Sequence, residues 1–422
     1  MATKLDGAWQ KLFDKYNIQD EIDKKGYYII TANQIREFRE PRLMTKFDHN
    51  EDLPIIFKEA KLSIFPISRT EYRISNNEMF SELKEITYDV SSFPLPDFIE
   101  SITSGTITSE AIALNCSYIT GMIADFVGDD EIYPTVSGKM SSKVFSFNIK
   151  NVLTKQIDSI KVKNSMIEID GAYEGKKYLT IIEAKQTLCD NFLIRQLYYP
   201  FRVWKNRVQK DLKLVYFVYS NSIFHFFEYV FDDENDYNSI RLVKQKNYTL
   251  EDLTITTLDI QNILDNVTIV DEPSIPFPQA DSFNRVINMC EYFATGEKDK
   301  NDITVEYSFT DRQTDYYTNA GKYLGLFKND NSCVSLSELS KEILKMDYKQ
   351  RQLKYVELIL SHKIFNWALK QRFESGSILT KEIVVEEMKK SNLYHINSDE
   401  TYRRRASTII SWIDWIIALI QE

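Results

Sequence analysis

Asp170, Glu183 and Lys185 have the types and spacing to hydrolyse a phosphodiester with a metal ion. They lie in IEIDGAYEGKKYLTIIEAK, Ile167 to Lys185, where two short apolar runs flank GAYEGKK. Side chains two apart in a strand share a face, so Glu183 and Lys185 project together. A turn near Glu174 to Lys177 would fold the runs back and set Asp170 opposite Glu183, at the same end of a sheet. Two carboxylates suit Mg2+, a hard cation that takes one or two carboxylates plus water and phosphate oxygens. The ion would activate a water and neutralise charge on the phosphate. The lysine would hold the attacking water or a phosphate oxygen.

The same stretch also reads as a hairpin with solvated ends, and the tripeptide Glu-x-Lys recurs. It is found at Glu59 to Lys61, Glu82 to Lys84, Glu174 to Lys176 and Glu387 to Lys389. The Glu59 copy has Asp48 upstream, but no strand precedes it and Pro54 interrupts the stretch. The Glu387 copy lies in a helical pattern, where residues two apart diverge. Only the Glu183 copy ends a β-rich run with an aspartate ending the strand before it. Glu168 shares a face with Asp170 and is the rival first ligand.

Length and composition set the frame for these residues. A chain of 422 residues, 43% hydrophobic and 27% charged, has material for two or three domains with their own cores. No apolar run is long enough for a membrane span, and MATKLDGAWQ lacks the pattern of a signal peptide. The four cysteines are scattered without a CxxC pair, which fits a reducing cytoplasm and argues against a zinc or disulfide framework. The histidines show no HxH or HExxH spacing. There is no P-loop and no dinucleotide-binding glycine pattern, so no ATP requirement is expected. The net charge of −10 runs against a nucleic-acid partner, but phosphate contacts are local and an acidic protein can hold a basic groove.

Three regions are expected. Residues 1–90 form an N-terminal α/β domain open to DNA contact, with a helix in AWQKLFDKYNIQDEI and a strand in LSIFPISRTEYRI. Residues 91–270 alternate helix and strand as a mixed α/β domain. TSEAIALNCSYITGMIADFV reads as a helix capped by Ser109. VFSFNI, SMIEID, YLTIIEAK, LKLVYFVYS and IFHFFEYVF read as strands. Residues 276–422, after the linker DEPSIPFPQADS, are mainly helical.

Two basic stretches could meet phosphates. NFLIRQLYYPFRVWKNRVQKDLK carries Arg195, Arg202 and Lys205 directly after the acidic motif; it reads either as a phosphate-tracking segment or as a solvated helix face. TYRRRASTIISWIDWIIAL places Arg403, Arg404 and Arg405 in a first helical turn, where basic charge opposes the helix dipole. Behind them Trp412, Ile416 and Leu419 read as core. Arg312 and Gln313 in TDRQTDYYTNAGKYLG are similar candidates for base or phosphate contact.

Asp170 followed by Glu183-Ala184-Lys185 resembles the PD-(D/E)XK nuclease signature, with Ile169 in place of the proline. The order helix, strands, helix resembles that nuclease core. REPRLMTKFDH, LPIIF and LSIFPISRTEY, then PTVSGKMSSKVFSFNI and RQLYYPFRVW, resemble segments of type II restriction endonucleases. ETYRRRASTIISWIDWI is similar to the last helix of a winged-helix module. The Gln-xxx-Tyr helix of related nucleases is not matched, since Pro200 stands four after Gln196.

The resemblance implies a multidomain α/β (α+β) protein. It would have a restriction-endonuclease-like PD-(D/E)XK core on a mixed central sheet and a winged-helix region at the C-terminus. It implies that Asp170 and Glu183 bind Mg2+ and that Lys185 serves catalysis. Glu110, on the first core helix, matches a third metal ligand of some members; it also reads as a first-turn acid favoured by the helix dipole. The implied activity is site-specific cleavage of double-stranded DNA leaving 5′-phosphates, in a bacterial or archaeal cytoplasm. A cognate DNA methyltransferase would be the companion, and a homodimer is allowed because two strands need two cuts. The rivals are an inactive nuclease fold that only binds DNA and a nuclease for modified DNA.

Overall fold

The computed structural model describes residues 4–102, 107–251, 254–307, 309–330, 333–376, 378–391, 393–394, 396 and 398–420. It divides into two compact units. The first comprises Met1–Ile86, Ser109–Val218 and His225–Lys246; the second comprises Thr87–Thr108, Tyr219–Phe224 and Asn247–Glu422. No described helix is long and apolar enough to cross a membrane.

The first unit opens with the helix Lys4–Tyr16, which buries Ala8, Trp9, Leu12 and Phe13 along one face. Trp9 packs edge-on against Phe57 and donates its indole N–H to the Met44 carbonyl at 3.1 Å. LSIFPISRTEYRI forms two strands, Ser63–Pro66 and Glu71–Ser75, rather than one. Both pair antiparallel with neighbours in a small sheet completed by Tyr27–Thr31.

The larger part of the first unit surrounds a mixed sheet. Its elements are α1 (Glu110–Ile119), α2 (Met122–Val127), β1 (Ile132–Ser141), β2 (Met166–Gly175), β3 (Tyr178–Lys185), α3 (Arg195–Trp204), β4 (Asp211–Ser220), β5 (Ile223–Phe231) and β6 (Ile240–Thr249). These strands lie in the order β6-β5-β4-β3-β2-β1. β1 and β2 are antiparallel, as are β2 and β3, whereas β3 and β4 run parallel. A parallel connection needs a crossover, and α3 supplies it. β3 is flanked on both sides and buries Leu179 through Ala184 without a break, as a central strand should.

The segment read as one helix is two. Gly121 adopts φ +82° between α1 and α2, a conformation open to glycine at little cost. β1 and β6 were not among the expected strands. β1 is largely exposed and carries Pro134 and Gly138, with register shifts between Pro134 and Val136 and between Val136 and Gly138. Such an edge strand has no clean alternation to read. β6 reads as polar because Arg241, Lys244, Gln245, Lys246 and Asn247 interrupt it.

The second unit is mainly helical around one apolar core. Its first part runs α4 (Phe283–Phe293), β7 (Lys298–Asp299), α5 (Lys300–Glu306), α6 (Asp311–Tyr323), β8 (Phe327–Asp330) and β9 (Cys333–Leu336). The three strands form one antiparallel sheet in the order β7-β9-β8. The long helix α7 (Asp399–Ala418) buries Trp412 and Ile416, and the Trp412 indole donates to the Ala280 carbonyl at 2.7 Å. Leu419 caps that helix.

Gly321 on α6 shows how tightly this core is filled. A Cβ there would sit 2.1 Å from Phe327 Cδ2. Gly321→Ala is therefore expected to lower stability by about 1–3 kcal/mol, the usual cost of overpacking. Chemical denaturation followed by tryptophan fluorescence would measure it, and an unchanged midpoint would contradict the packing.

Candidate active site

The β2–β3 hairpin turns at Lys176 and Lys177. Its register pairs Leu179 with Glu174 and Ile182 with Gly171. One step further along, Glu183 stands beside Asp170. The backbone N–H of Ala184 donates to Asp170 Oδ2 at 2.8 Å, which fixes that carboxylate against the end of β3. On the other side of β3, Glu183 is paired in register with Tyr216 of β4. Asp170, Glu183 and Lys185 therefore meet at one end of the sheet.

Glu183 is almost fully buried and its Oε1 receives two donors. Lys185 Nζ approaches to 2.6 Å and Gln196 Nε2, from the first turn of α3, to 2.5 Å. Both donors also face Asp48, a residue of the N-terminal segment. Gln196 Nε2 lies 3.4 Å from Asp48 Oδ1, and Lys185 Nζ lies 3.9 Å from Asp48 Oδ2. Side-chain exposure is 9% for Glu183, 15% for Lys185 and 20% for Asp48, so these charges interact with little screening by water.

The surroundings set each ionisation. Burial pushes the Glu183 carboxyl above its ordinary range; Lys185 opposes this, while the charges of Asp170 and Asp48 add to it. Burial also works against the Lys185 ammonium, but Glu183 and Asp48 outweigh it and hold the lysine charged. For Asp48, burial is again opposed, and Lys185, Lys46, His49 and Arg195 together hold its carboxyl below the usual value. Glu110 is raised by burial, and it senses Lys185, Asp170, Lys46 and Asp48. It occupies the first turn of α1 behind the Ser109 cap, so it both suits the helix dipole and faces the acidic group.

No group of three or more His, Cys, Asp or Glu side chains among the described residues is arranged to hold a metal ion. The expected set of Asp170, Glu183 and Glu110 is thus not a ready-made cage. The physical reason is visible at Glu183, whose Oε1 is engaged by Lys185 and Gln196. The donor chemistry still fits Mg2+, which takes one or two carboxylates and keeps several waters. Gln196 Oε1 and the Tyr216 hydroxyl, both buried without a hydrogen-bond partner among the described residues, mark polar capacity left over at this end of the sheet.

The rival acids lie elsewhere. Glu168 is exposed and 3.8 Å from Lys139. Glu59 is exposed at the end of the short helix Ile55–Glu59.

The basic candidates separate. Arg195 lies over the Tyr199 ring at 5.6 Å and contributes to the field at Asp48. Arg202 is turned inward, donating to the Ser146 carbonyl at 2.9 Å and the Tyr198 hydroxyl at 2.8 Å. Lys205 is exposed at the end of α3.

In the second unit, Arg312 and Arg405 converge on Tyr316, their guanidinium carbons 5.3 and 5.5 Å from its ring centre. Burial, reinforced by Arg404 and Arg312 and opposed by Tyr316, brings the Arg405 guanidinium down to about 10. Arg405 Nε is buried without a hydrogen-bond partner among the described residues. Arg404 pairs with Glu400 at 2.8 Å and Arg403 is exposed. Gln313 is engaged in a capping box, accepting from the Thr310 N–H at 2.9 Å.

Sequence reasoning missed Asp48, Gln196 and Tyr216 as members of this site. Tyr216 carried a usable signal, since a parallel neighbour of β3 must set one residue beside Glu183. Gln196 lacks the tyrosine four residues on that would have marked it. Asp48 carried no local signal. Comparison with known families finds three matches along the chain. Residues 6–74 are similar to a family described as Domain of unknown function (DUF6996), residues 75–249 to Domain of unknown function (DUF6997), and residues 285–421 to Domain of unknown function (DUF7226). No curated protein and no solved structure matches the chain.

Proposed function

We propose that the chain is a type II site-specific deoxyribonuclease with a PD-(D/E)XK core, cutting double-stranded DNA with Mg2+ and leaving 5′-phosphates. The observation that carries this is the meeting of Asp170 and Glu183 at one sheet end, with Lys185 Nζ 2.6 Å from Glu183 Oε1. The order α1, α2, three antiparallel sheet strands with the hairpin Val144–Lys150 and Ile157–Lys163 inserted between the first two, crossover helix and parallel strand supports the same reading. Asp170 and Glu183 would hold the ion, which supplies charge neutralisation at the phosphate and an activated water when bound. Lys185 would orient that water or a phosphate oxygen, and Glu110 borders the same space.

The order helix, strand, helix, helix, hairpin from α4 to β9 supports a winged-helix reading, at residues 283–336 rather than around α7. In such modules the second helix of the pair presents its N-terminal residues to DNA. That helix is α6, and Arg312 lies in its first turn. Arg405 stands beside it on the same tyrosine, so these two are the strongest candidates for phosphate contact. Replacing both with alanine is expected to flatten the log–log salt dependence of duplex binding by about two units, one for each phosphate no longer neutralised. An unchanged slope would remove this pair from DNA binding.

A cognate DNA methyltransferase is the companion this activity calls for, and a homodimer would supply the second cut. Mapping the fragment ends from one long unmethylated DNA tests the reading. Recurrent cuts within one short sequence, with 5′-phosphate ends, are expected; random breaks would contradict site specificity.

A further inference from the structure

Asp48 belongs to the segment similar to one family, whereas Asp170, Glu183, Lys185 and Gln196 belong to the segment similar to another. Its place in the first unit is nonetheless firmly set. The Leu193 N–H donates to the Asp48 carbonyl at 2.9 Å. Next to it, the Asn50 N–H donates to Asn191 Oδ1 at 2.9 Å and Asn191 Nδ2 donates to Glu51 Oε2 at 2.8 Å. Residues 48–51 are therefore tied to the strand Asn191–Leu193, just ahead of the helix that carries Gln196.

A cation at Glu183 has to compete with the two donors already on Oε1, and one of them is a positive charge. Both donors already face a second acceptor, since Lys185 lies 3.9 Å and Gln196 3.4 Å from the Asp48 carboxylate. The alternative role for Asp48 is a partner for Lys46 at 3.6 Å. That lysine is 64% exposed, and an exposed pair contributes little. It does not account for a carboxylate directed at the partly buried Lys185.

Resting on the nuclease reading above, we propose that Asp48 is a positioning residue of this site, the acceptor that takes over Lys185 and Gln196 when a divalent cation occupies Glu183. The 6–74 segment then completes the centre instead of standing apart from it.

The test is Mn2+ binding to the full chain without DNA, read from the electron paramagnetic resonance of the free ion. Wild type, Glu183→Gln, Asp48→Asn, Lys185→Met and the Asp48→Asn/Lys185→Met pair are compared, with circular dichroism to verify folding. Asp48→Asn keeps the size of the side chain and an oxygen for Gln196. It is expected to weaken Mn2+ binding about tenfold, as removal of a partner behind a metal ligand does. In the Lys185→Met background that effect is expected to vanish, because no ammonium is left to be received. Asp48→Glu should restore part of the affinity.

Unchanged Mn2+ affinity in Asp48→Asn, with affinity abolished in Glu183→Gln, overturns the role of Asp48 and leaves the nuclease reading standing. An undiminished effect in the Lys185→Met background overturns the hand-over, since Asp48 would then act on the ion itself. If wild type and Glu183→Gln are equally unable to bind Mn2+, the metal reading falls and this role falls with it.

Discussion

Lys185→Ala is expected to lower the rate of DNA cleavage by roughly 10²–10³-fold or more, as loss of a group that stabilises a developing charge does. Duplex affinity should stay close to wild type. The lysine reaches Glu183 and Asp48 at a partly buried sheet end, where it can address a reacting phosphate but few others. Affinity for the duplex comes mostly from phosphate and base contacts spread over the surface. The same variant should bind a divalent cation more tightly, because Lys185 competes with the cation for Glu183. Single-turnover cleavage and gel-shift binding, with Ca2+ replacing Mg2+ in the binding assay, separate these effects. Cleavage at the wild-type rate would remove Lys185 from the chemistry.

Asp170→Asn and Glu183→Gln are each expected to abolish detectable cleavage and to weaken metal binding, because each removes a hard anionic ligand. The changes are close to isosteric. An asparagine oxygen at 170 can still accept from the Ala184 N–H, so the hairpin end should hold. Glu59→Gln is the control, since Glu59 is exposed and ends the short helix Ile55–Glu59. It should change neither property. Loss of cleavage in the Glu59 variant with retention in the Glu183 variant would move the chemistry to the other Glu-x-Lys copy.

The hairpin that brings Asp170 beside Glu183 was legible because strand alternation and a short polar turn are local properties of one stretch. The buried runs of β3, β4 and β5 were legible for the same reason, as was the apolar stripe of Trp412 and Ile416 on α7. The edge strand β1 was not, because its exposed residues, Pro134 and its irregular register erase the periodicity that marks a strand. The break between α1 and α2 turns on one glycine at positive φ, inside an otherwise continuous helical pattern.

Asp48 was hidden for a different reason. It meets Gln196 across 148 residues of sequence, and only tertiary folding creates that contact. In the sequence it stands only as the acid upstream of Glu59, and the fold delivers it to Lys185 instead. The basic residues show the same limit. Arg312 and Arg405 look alike in sequence to Arg202 and Arg404, yet the first two converge on Tyr316, whose hydroxyl accepts from Arg312 Nε, while Arg202 reaches the Ser146 carbonyl and Arg404 pairs with the exposed Glu400. Composition gives the number of charges, and packing decides which of them can meet a ligand.

The most direct test of the central claim is digestion of unmethylated bacteriophage DNA by the full chain with Mg2+, beside the same protein with a chelator and beside Glu183→Gln with Mg2+. Discrete fragments are expected from the first sample alone. Intact DNA in all three, under conditions where the protein binds duplex, would contradict the nuclease assignment. Fragments from Glu183→Gln at the wild-type rate would place the chemistry somewhere other than the Asp170, Glu183 and Lys185 site.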